Sequence, residues 1–153
     1  MAGRIVLTRE QLEELTERYN ELINLVNTLS QNLAVINTAI NEYTNARAVL
    51  EQLTKGGVNE PYVTIGGGIY VRVDPKDTQK VLVDVGEGYV AEMPISRAIE
   101  IVDERLRELN AARSSLEQQL AQAIRSSSEI RDLLTAIYAS LSRQAQAEGM
   151  QKQ

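Results

Sequence analysis

The sequence predicts a mainly α-helical fold with a small β part: a long antiparallel coiled-coil hairpin whose two helices are separated by two β-hairpins. Glycine is the first observation behind this prediction, because seven of the nine glycines fall within residues 56–93. The second is a run of apolar residues at alternating spacings of three and four along both flanks. The chain therefore divides into an N-terminal coiled-coil helix at 1–55, a hairpin segment at 56–93 and a C-terminal coiled-coil helix at 94–153.

The first flank carries a heptad pattern that follows a helix start signal. Thr8 and Gln11 have the spacing of a capping box, and Gly56 with Gly57 predicts the end of the helix. Five heptads in one frame exceed the three or four that indicate a coiled coil. The predicted seam positions are Leu12, Leu15, Tyr19, Leu22, Val26, Leu29, Leu33, Ile36, Ile40, Tyr43, Arg47 and Leu50.

The second flank repeats the pattern, and Pro94 suits the first turn of its helix. Because both seams must be covered, we expect the two helices to pack against each other as an antiparallel hairpin. Arg47 and Arg113 interrupt the seams; stems that reach out to solvent are the favoured interpretation, and setting the helix register is the alternative. On the helix surface, Asp103 is expected to attract Arg107. The second seam is Ile95, Ile99, Val102, Leu106, Leu109, Arg113, Leu116, Leu120, Ala123, Ser127, Ile130, Leu134, Ile137 and Leu141.

The glycine-rich centre predicts four short strands, 62–65, 69–73, 80–85 and 89–93, paired as two β-hairpins. Gly66-Gly67-Gly68 is interpreted as a tight turn or bulge, because a phosphate-binding loop needs Gly-Lys-Ser/Thr at the start of a helix. Isolated hairpins are marginally stable and two helices cover little of them, so we expect the strands to join an intersubunit β-barrel or sandwich. The residues assigned to this oligomer assembly surface are Val63, Ile65, Ile69, Val71, Val73, Val81, Val83 and Val85.

Composition argues against most catalytic and metal chemistry. The chain has no Cys and no His, which removes thiolate nucleophiles, imidazole bases and the common zinc ligands. A formal net charge of −5 argues against binding to nucleic acid or to a membrane surface, and no apolar run approaches the roughly 20 residues of a membrane span. Asp74, Asp77 and Asp84 lack the spacing of a calcium loop. We therefore predict a cytoplasmic protein that is not an enzyme and uses no cofactor or metal.

Apolar residues near the two chain ends exceed what the seams require. In the hairpin arrangement these ends meet at the tip farthest from the strands. One interpretation is a slightly widened seam with frayed ends; the other is a mobile apolar tip that contacts other proteins. The candidate binding residues at this tip are Ile5, Val6, Leu7, Leu12, Leu15, Leu133, Leu134, Ile137, Tyr138 and Leu141.

The central segment resembles one family closely. Residues 61–73 (PYVTIGGGIYVRV) and 77–90 (DTQKVLVDVGEGYV) are similar to the two hairpins of prefoldin α-class subunits, and residues 94–105 (PISRAIEIVDER) to the start of their second helix. Two hairpins, where the β class has one, distinguish the α class. The Cys-free, His-free and acidic composition is compatible with an archaeal member.

The resemblance implies a hexamer of two α and four β subunits joined by a β-barrel. The coiled-coil tips would hold unfolded client proteins without ATP and pass them to a group II chaperonin. The alternative is a structural coiled-coil protein, including a filament-forming prefoldin-like protein made of one chain type.

Overall fold

The computed structural model of the protein describes residues 7–56, 60–76 and 79–152. Along the chain, one long helix precedes two β-hairpins and a second long helix follows them, which confirms the predicted fold class. The strands form two separate two-stranded antiparallel sheets. Ile5 and Val6, two of the predicted tip residues, lie outside the described residues. The elements are α1 (Arg9–Thr54), β1 (Tyr62–Gly66), β2 (Ile69–Arg72), β3 (Lys80–Gly86), β4 (Tyr89–Pro94) and α2 (Ile95–Gln151).

Helix α1 begins with the predicted capping box. The backbone N–H of Gln11 donates to Oγ1 of Thr8 at 3.2 Å, and the backbone N–H of Thr8 donates to Oε1 of Gln11 at 2.9 Å. These bonds satisfy two N–H groups that have no partner within the first helical turn. The helix ends before Gly56, whose φ of 78° is a conformation that glycine adopts without strain.

The predicted seams are the least exposed stripes of both helices. Every predicted seam position of α1 is buried or half-buried, and so is every predicted position of α2 except Leu141. Ala123 and Ser127 are among the most buried side chains of α2, although neither is a large apolar residue. The Ser127 hydroxyl donates to the carbonyl of Ile124 at 2.9 Å, so its burial leaves no polar group unsatisfied.

The chain forms two compact units. One unit is residues 36–113, with both hairpins and the adjoining parts of the helices; the other is residues 1–35 together with residues 114–153. Within the hairpin unit, Tyr43 contacts Arg105 and Arg47 contacts Asp103. The residue number on α2 falls as the number on α1 rises, so the helices run antiparallel in this unit.

Helix α2 starts directly from the last strand. Pro94 pairs with Lys80 as the final residue of β4, so the prediction that it occupies the first helical turn is wrong by one residue. The N–H of Ile95 donates to the carbonyl of Gln79 at 3.1 Å and continues the ladder into the helix. Because proline has no N–H to give to the ladder, the end of a strand is a position that it tolerates.

Candidate functional site

The two hairpins turn in the same way. Gly66, Gly67 and Gly68 have φ values of 103°, 60° and 75°, and Gly86, Glu87 and Gly88 have values of 101°, 55° and 80°. In each hairpin a register shift precedes the turn, and the side chain two residues before the first glycine accepts its N–H. Thr64 Oγ1 does so at 3.3 Å and Asp84 Oδ1 at 2.7 Å. The Gly66-Gly67-Gly68 segment is therefore a bulged tight turn, as predicted, and the second hairpin repeats it.

One side of each hairpin is lined by paired aliphatic side chains, which follows from the register of its strands. In the first hairpin Val63 lies directly opposite Val71, and in the second Val81 lies opposite Met93 and Val83 opposite Ala91. Residues opposite one another point to the same side of a sheet, so these apolar side chains group together. Val63 and Val71 are 46% and 43% exposed, whereas the four residues of the second hairpin are half-buried by the chain itself.

The predicted assembly residues occupy three kinds of position on these hairpins. Val63, Ile69, Val71, Val81 and Val83 lie in the strands at alternating positions that share the apolar side. Val73 follows β2 directly, is half-buried, and donates its N–H to the carbonyl of Pro61 at 2.9 Å. Ile65 and Val85 are the extra residues at the two register shifts, so neither has a cross-strand partner, and both are exposed.

Sequence reasoning missed a set of large apolar residues on the other side of the hairpins and, in the case of Tyr89, at the start of β4. Each of them is more than half exposed. A signal was available, because apolar residues occur at consecutive positions in β2 and β3, a pattern typical of strands that are covered on both faces. The missed residues are Tyr62, Tyr70, Leu82, Tyr89 and Val90.

Arg47 forms an ion pair between the two helices. Its Nε lies 2.6 Å from Oδ1 of Asp103, and its Nη1 lies 3.4 Å from Oε2 of Glu51. The hydrogen bond and charge of Asp103, with a smaller contribution from Glu51, raise the pKa of Arg47 above its ordinary value. Arg47 thus remains about one-third exposed, in keeping with a stem that reaches toward solvent, and its guanidinium also pairs across the helices. Asp103 likewise pairs with Arg47 across the helices, where the sequence suggested Arg107.

Arg105, on α2, contacts two other elements at once. Its Nη1 donates to the hydroxyl of Tyr43 on α1 at 3.3 Å, and its guanidinium carbon lies 5.5 Å from the centre of the Tyr43 ring. Its Nη2 donates to the backbone carbonyl of Asp84 in β3 at 2.7 Å. Since Arg105 itself belongs to α2, one side chain connects both helices with the second hairpin. No sequence pattern suggested this contact, which joins positions far apart in the chain.

The predicted tip residues within the described structure differ in exposure. Leu7, Leu12 and Leu15, near the start of α1, are half-buried, and so are Leu133, Leu134 and Ile137 on α2. Tyr138 and Leu141 are exposed, at 52% and 47%. Leu133 thus behaves as part of a widened seam, whereas Tyr138 and Leu141 present apolar surface to solvent.

A shallow groove lies beside Tyr138. It has a volume of about 560 Å³ and includes Leu12 and the first four turns of one face of α1. Glu13, Glu17 and Glu21 line it along α1. Leu12 and Tyr138 are the large apolar side chains that line the groove, beside these carboxylates.

The described parts of the chain offer neither a membrane span nor a carboxylate cluster. Neither helix there has a stretch that is both long and apolar enough to cross a bilayer. No group of three or more carboxylates is close enough together to hold a metal ion in residues 7–56, 60–76 and 79–152. Asp84, one of three aspartates considered for a cation, instead caps the turn at Gly86.

Comparison with known proteins identifies the family. The family model described as "Prefoldin subunit" matches residues 22–140. The chain is 31% identical to the prefoldin subunit alpha of Pyrococcus horikoshii over 130 residues, covering 79% of this chain and 88% of that protein. It is 29% identical to the prefoldin subunit alpha of Pyrobaculum arsenaticum over 126 residues, covering 82% and 91%.

A solved structure has the same fold. Filamentous PFD from Methanocaldococcus jannaschii, determined by cryo-EM, aligns with a TM-score of 0.61 and 22% identity over 79% of this chain and 98% of that one. At this identity the likeness concerns the fold alone, and it agrees with two long helices that enclose two hairpins. The match over most of the sequence and the shared fold together show that this chain belongs to the prefoldin family of coiled-coil chaperone subunits.

Proposed function

We propose that this chain is the α-class subunit of an ATP-independent chaperone, a holdase that binds unfolded proteins and transfers them to a group II chaperonin in the cytoplasm. The observation that carries the proposal is the open apolar face of the first hairpin. Val63 and Val71 lie side by side there and are nearly half exposed. An exposed apolar surface of this kind, in a member of this family, indicates a contact surface for other chains.

The proposed covering chains are β-class subunits, in a complex of two α and four β. Each hairpin offers strand edges and a side lined by paired aliphatic side chains, so strands from neighbouring subunits could extend both sheets and close them into a barrel. The repeated turn supports this, because both hairpins then present the same geometry to their partners. Burying apolar side chains from all subunits would contribute about 25 cal/mol per Å².

The client-binding surface is proposed at the helix ends, where Tyr138 and Leu141 are exposed. An unfolded chain presents apolar side chains at many points, and each contact with one pair of helix ends is weak. Several subunits that hold one client together gain affinity by effective concentration, and each contact can still be released separately. A surface built only on weak apolar contacts requires no covalent chemistry, which is consistent with a chain that has neither Cys nor His.

A second candidate is a filament made of this chain alone, which the structural likeness to a filamentous PFD favours. Mixing the chain with a β-class subunit and measuring the mass by light scattering separates the two. We expect one discrete species with a mass near six chains, because closure of the barrel ends the assembly. A ladder of masses or visible filaments would favour the second candidate.

Client holding should require neither nucleotide nor metal. We expect the complex to suppress aggregation of a chemically denatured test protein equally in buffer, with ATP and magnesium, and with EDTA. The physical reason is that apolar burial needs no phosphoryl transfer or metal ligand. A strict requirement for ATP would contradict the proposed mechanism.

A further inference from the structure

The two hairpins share a turn but differ in how they meet the rest of the chain. The apolar face of the second hairpin is half-buried by its own chain at Val81, Val83, Ala91 and Met93, whereas Val63 and Val71 of the first are exposed. The identical turn geometry does not account for this difference. The half-burial instead reflects contacts of the second hairpin with other parts of the chain, beginning where β4 runs directly into α2.

Arg105 supplies such a contact. Its two terminal nitrogens divide between two acceptors, with Nη2 on the Asp84 carbonyl at 2.7 Å and Nη1 on the Tyr43 hydroxyl at 3.3 Å. The planar guanidinium fixes the angle between its donors, so binding both acceptors also fixes the position of β3 relative to α1. The Tyr43 ring under the guanidinium adds a cation–π contact.

Asp84 is well suited to receive this bond. Its carboxylate already accepts the N–H of Gly86, which holds the backbone at the register shift before the turn. The same residue therefore stiffens the turn with its side chain and attaches the hairpin through its carbonyl. The Arg47–Asp103 ion pair joins α1 to α2 two residues before Arg105. It therefore helps to fix the part of α2 that carries Arg105.

We propose that Arg105 is a positioning residue that docks the second hairpin onto both helices, so that this hairpin is already oriented before any partner subunit binds. The first hairpin then takes its final order from the partner. Pre-orientation lowers the entropy that assembly must remove, so it should speed the joining of subunits. The assembly consequence rests on the proposed function; the docking itself does not.

The test is amide hydrogen exchange in the full-length chain without a partner, comparing Arg105→Gln with the natural sequence. We expect exchange in β3 and β4 to accelerate about ten-fold, because a charge-assisted bond that holds the hairpin is lost. Exchange in β1 and β2 should stay unchanged, since that hairpin has the same turn and serves as the internal control. Far-UV circular dichroism should confirm intact helices.

Arg105→Lys decides whether the two-point geometry matters. An ammonium keeps the charge but lacks the rigid fork of the guanidinium. The exchange rates in β3 and β4 should therefore lie between those of the natural sequence and those of Arg105→Gln. The proposal is overturned if Arg105→Gln leaves β3 and β4 unchanged or accelerates both hairpins equally, or if Arg105→Lys matches the natural chain. With β-class subunits present, Arg105→Gln should also slow assembly, measured as the rise in light scattering. If only this last result is not observed, the docking of the second hairpin is supported and its effect on assembly is refuted.

Discussion

Val71→Asp is expected to abolish the assembly while leaving the chain folded. Val71 is 43% exposed in the single chain, so a carboxylate there can remain hydrated and should cost little stability. In the assembled complex the same position would be covered, and an unpaired charge removed from water is strongly unfavourable. Size-exclusion chromatography with light scattering should show small species in place of a complex, and circular dichroism should show the same helix content.

Val71 is a sharper choice than Val83 on the second hairpin. Val83 is half-buried by its own chain, so a charge there would also weaken the fold of the subunit itself. Loss of assembly by Val83→Asp would then have two explanations. Val71→Asp has one, because the first hairpin leaves its apolar face open.

Tyr70→Asp tests whether the opposite side of the same strand is also covered in the assembly. Tyr70 lies across from Thr64 and is 65% exposed. Both variants add one negative charge to β2 and remove one residue that favours strands. If Tyr70→Asp prevents assembly as strongly as Val71→Asp does, the face opposite the valines takes part in the interface, and our assignment of the assembly surface is incomplete.

Local sequence signals accounted for most of the fold. The capping box at Thr8 and Gln11 and the heptad frame each depend on residues close in the chain, and both appear in the structure as predicted. The turns were also recognised, because positive φ values select for glycine. Short-range chemistry of this kind can be read directly from spacing.

What sequence reasoning missed depends on contacts between distant positions. Arg105 meets Tyr43 and Asp84 only after the helices and the second hairpin have packed, and no local pattern records that meeting. For the same reason, Asp103 pairs with Arg47 on the other helix, where the sequence suggested Arg107, one turn away on α2. At Ile65 and Val85 the alternation rule failed because one extra residue on each strand breaks the period of two.

Replacing two exposed residues in the last four turns of α2 is expected to weaken client holding without affecting assembly. The variant is Tyr138→Gln with Leu141→Gln, which removes apolar surface and keeps residues that favour helices. Both side chains are about half exposed, so the stability of the chain should change little. In complexes with unchanged β-class subunits we expect loss of about a third of the aggregation suppression, because the four β-class chains of the proposed complex keep their own helix ends.

A matched double variant separates position from hydrophobicity. Leu25 and Ile124 are 45% and 49% exposed, close to the 52% and 47% of Tyr138 and Leu141, and they lie away from the helix ends. Leu25→Gln with Ile124→Gln therefore removes a similar apolar surface from the middle of the helices. It should leave holding intact if clients bind only at the ends. Equal loss of client holding in both variants would indicate that clients contact the whole length of the helices. If neither variant lost client holding, we would infer that clients bind to the hairpin unit.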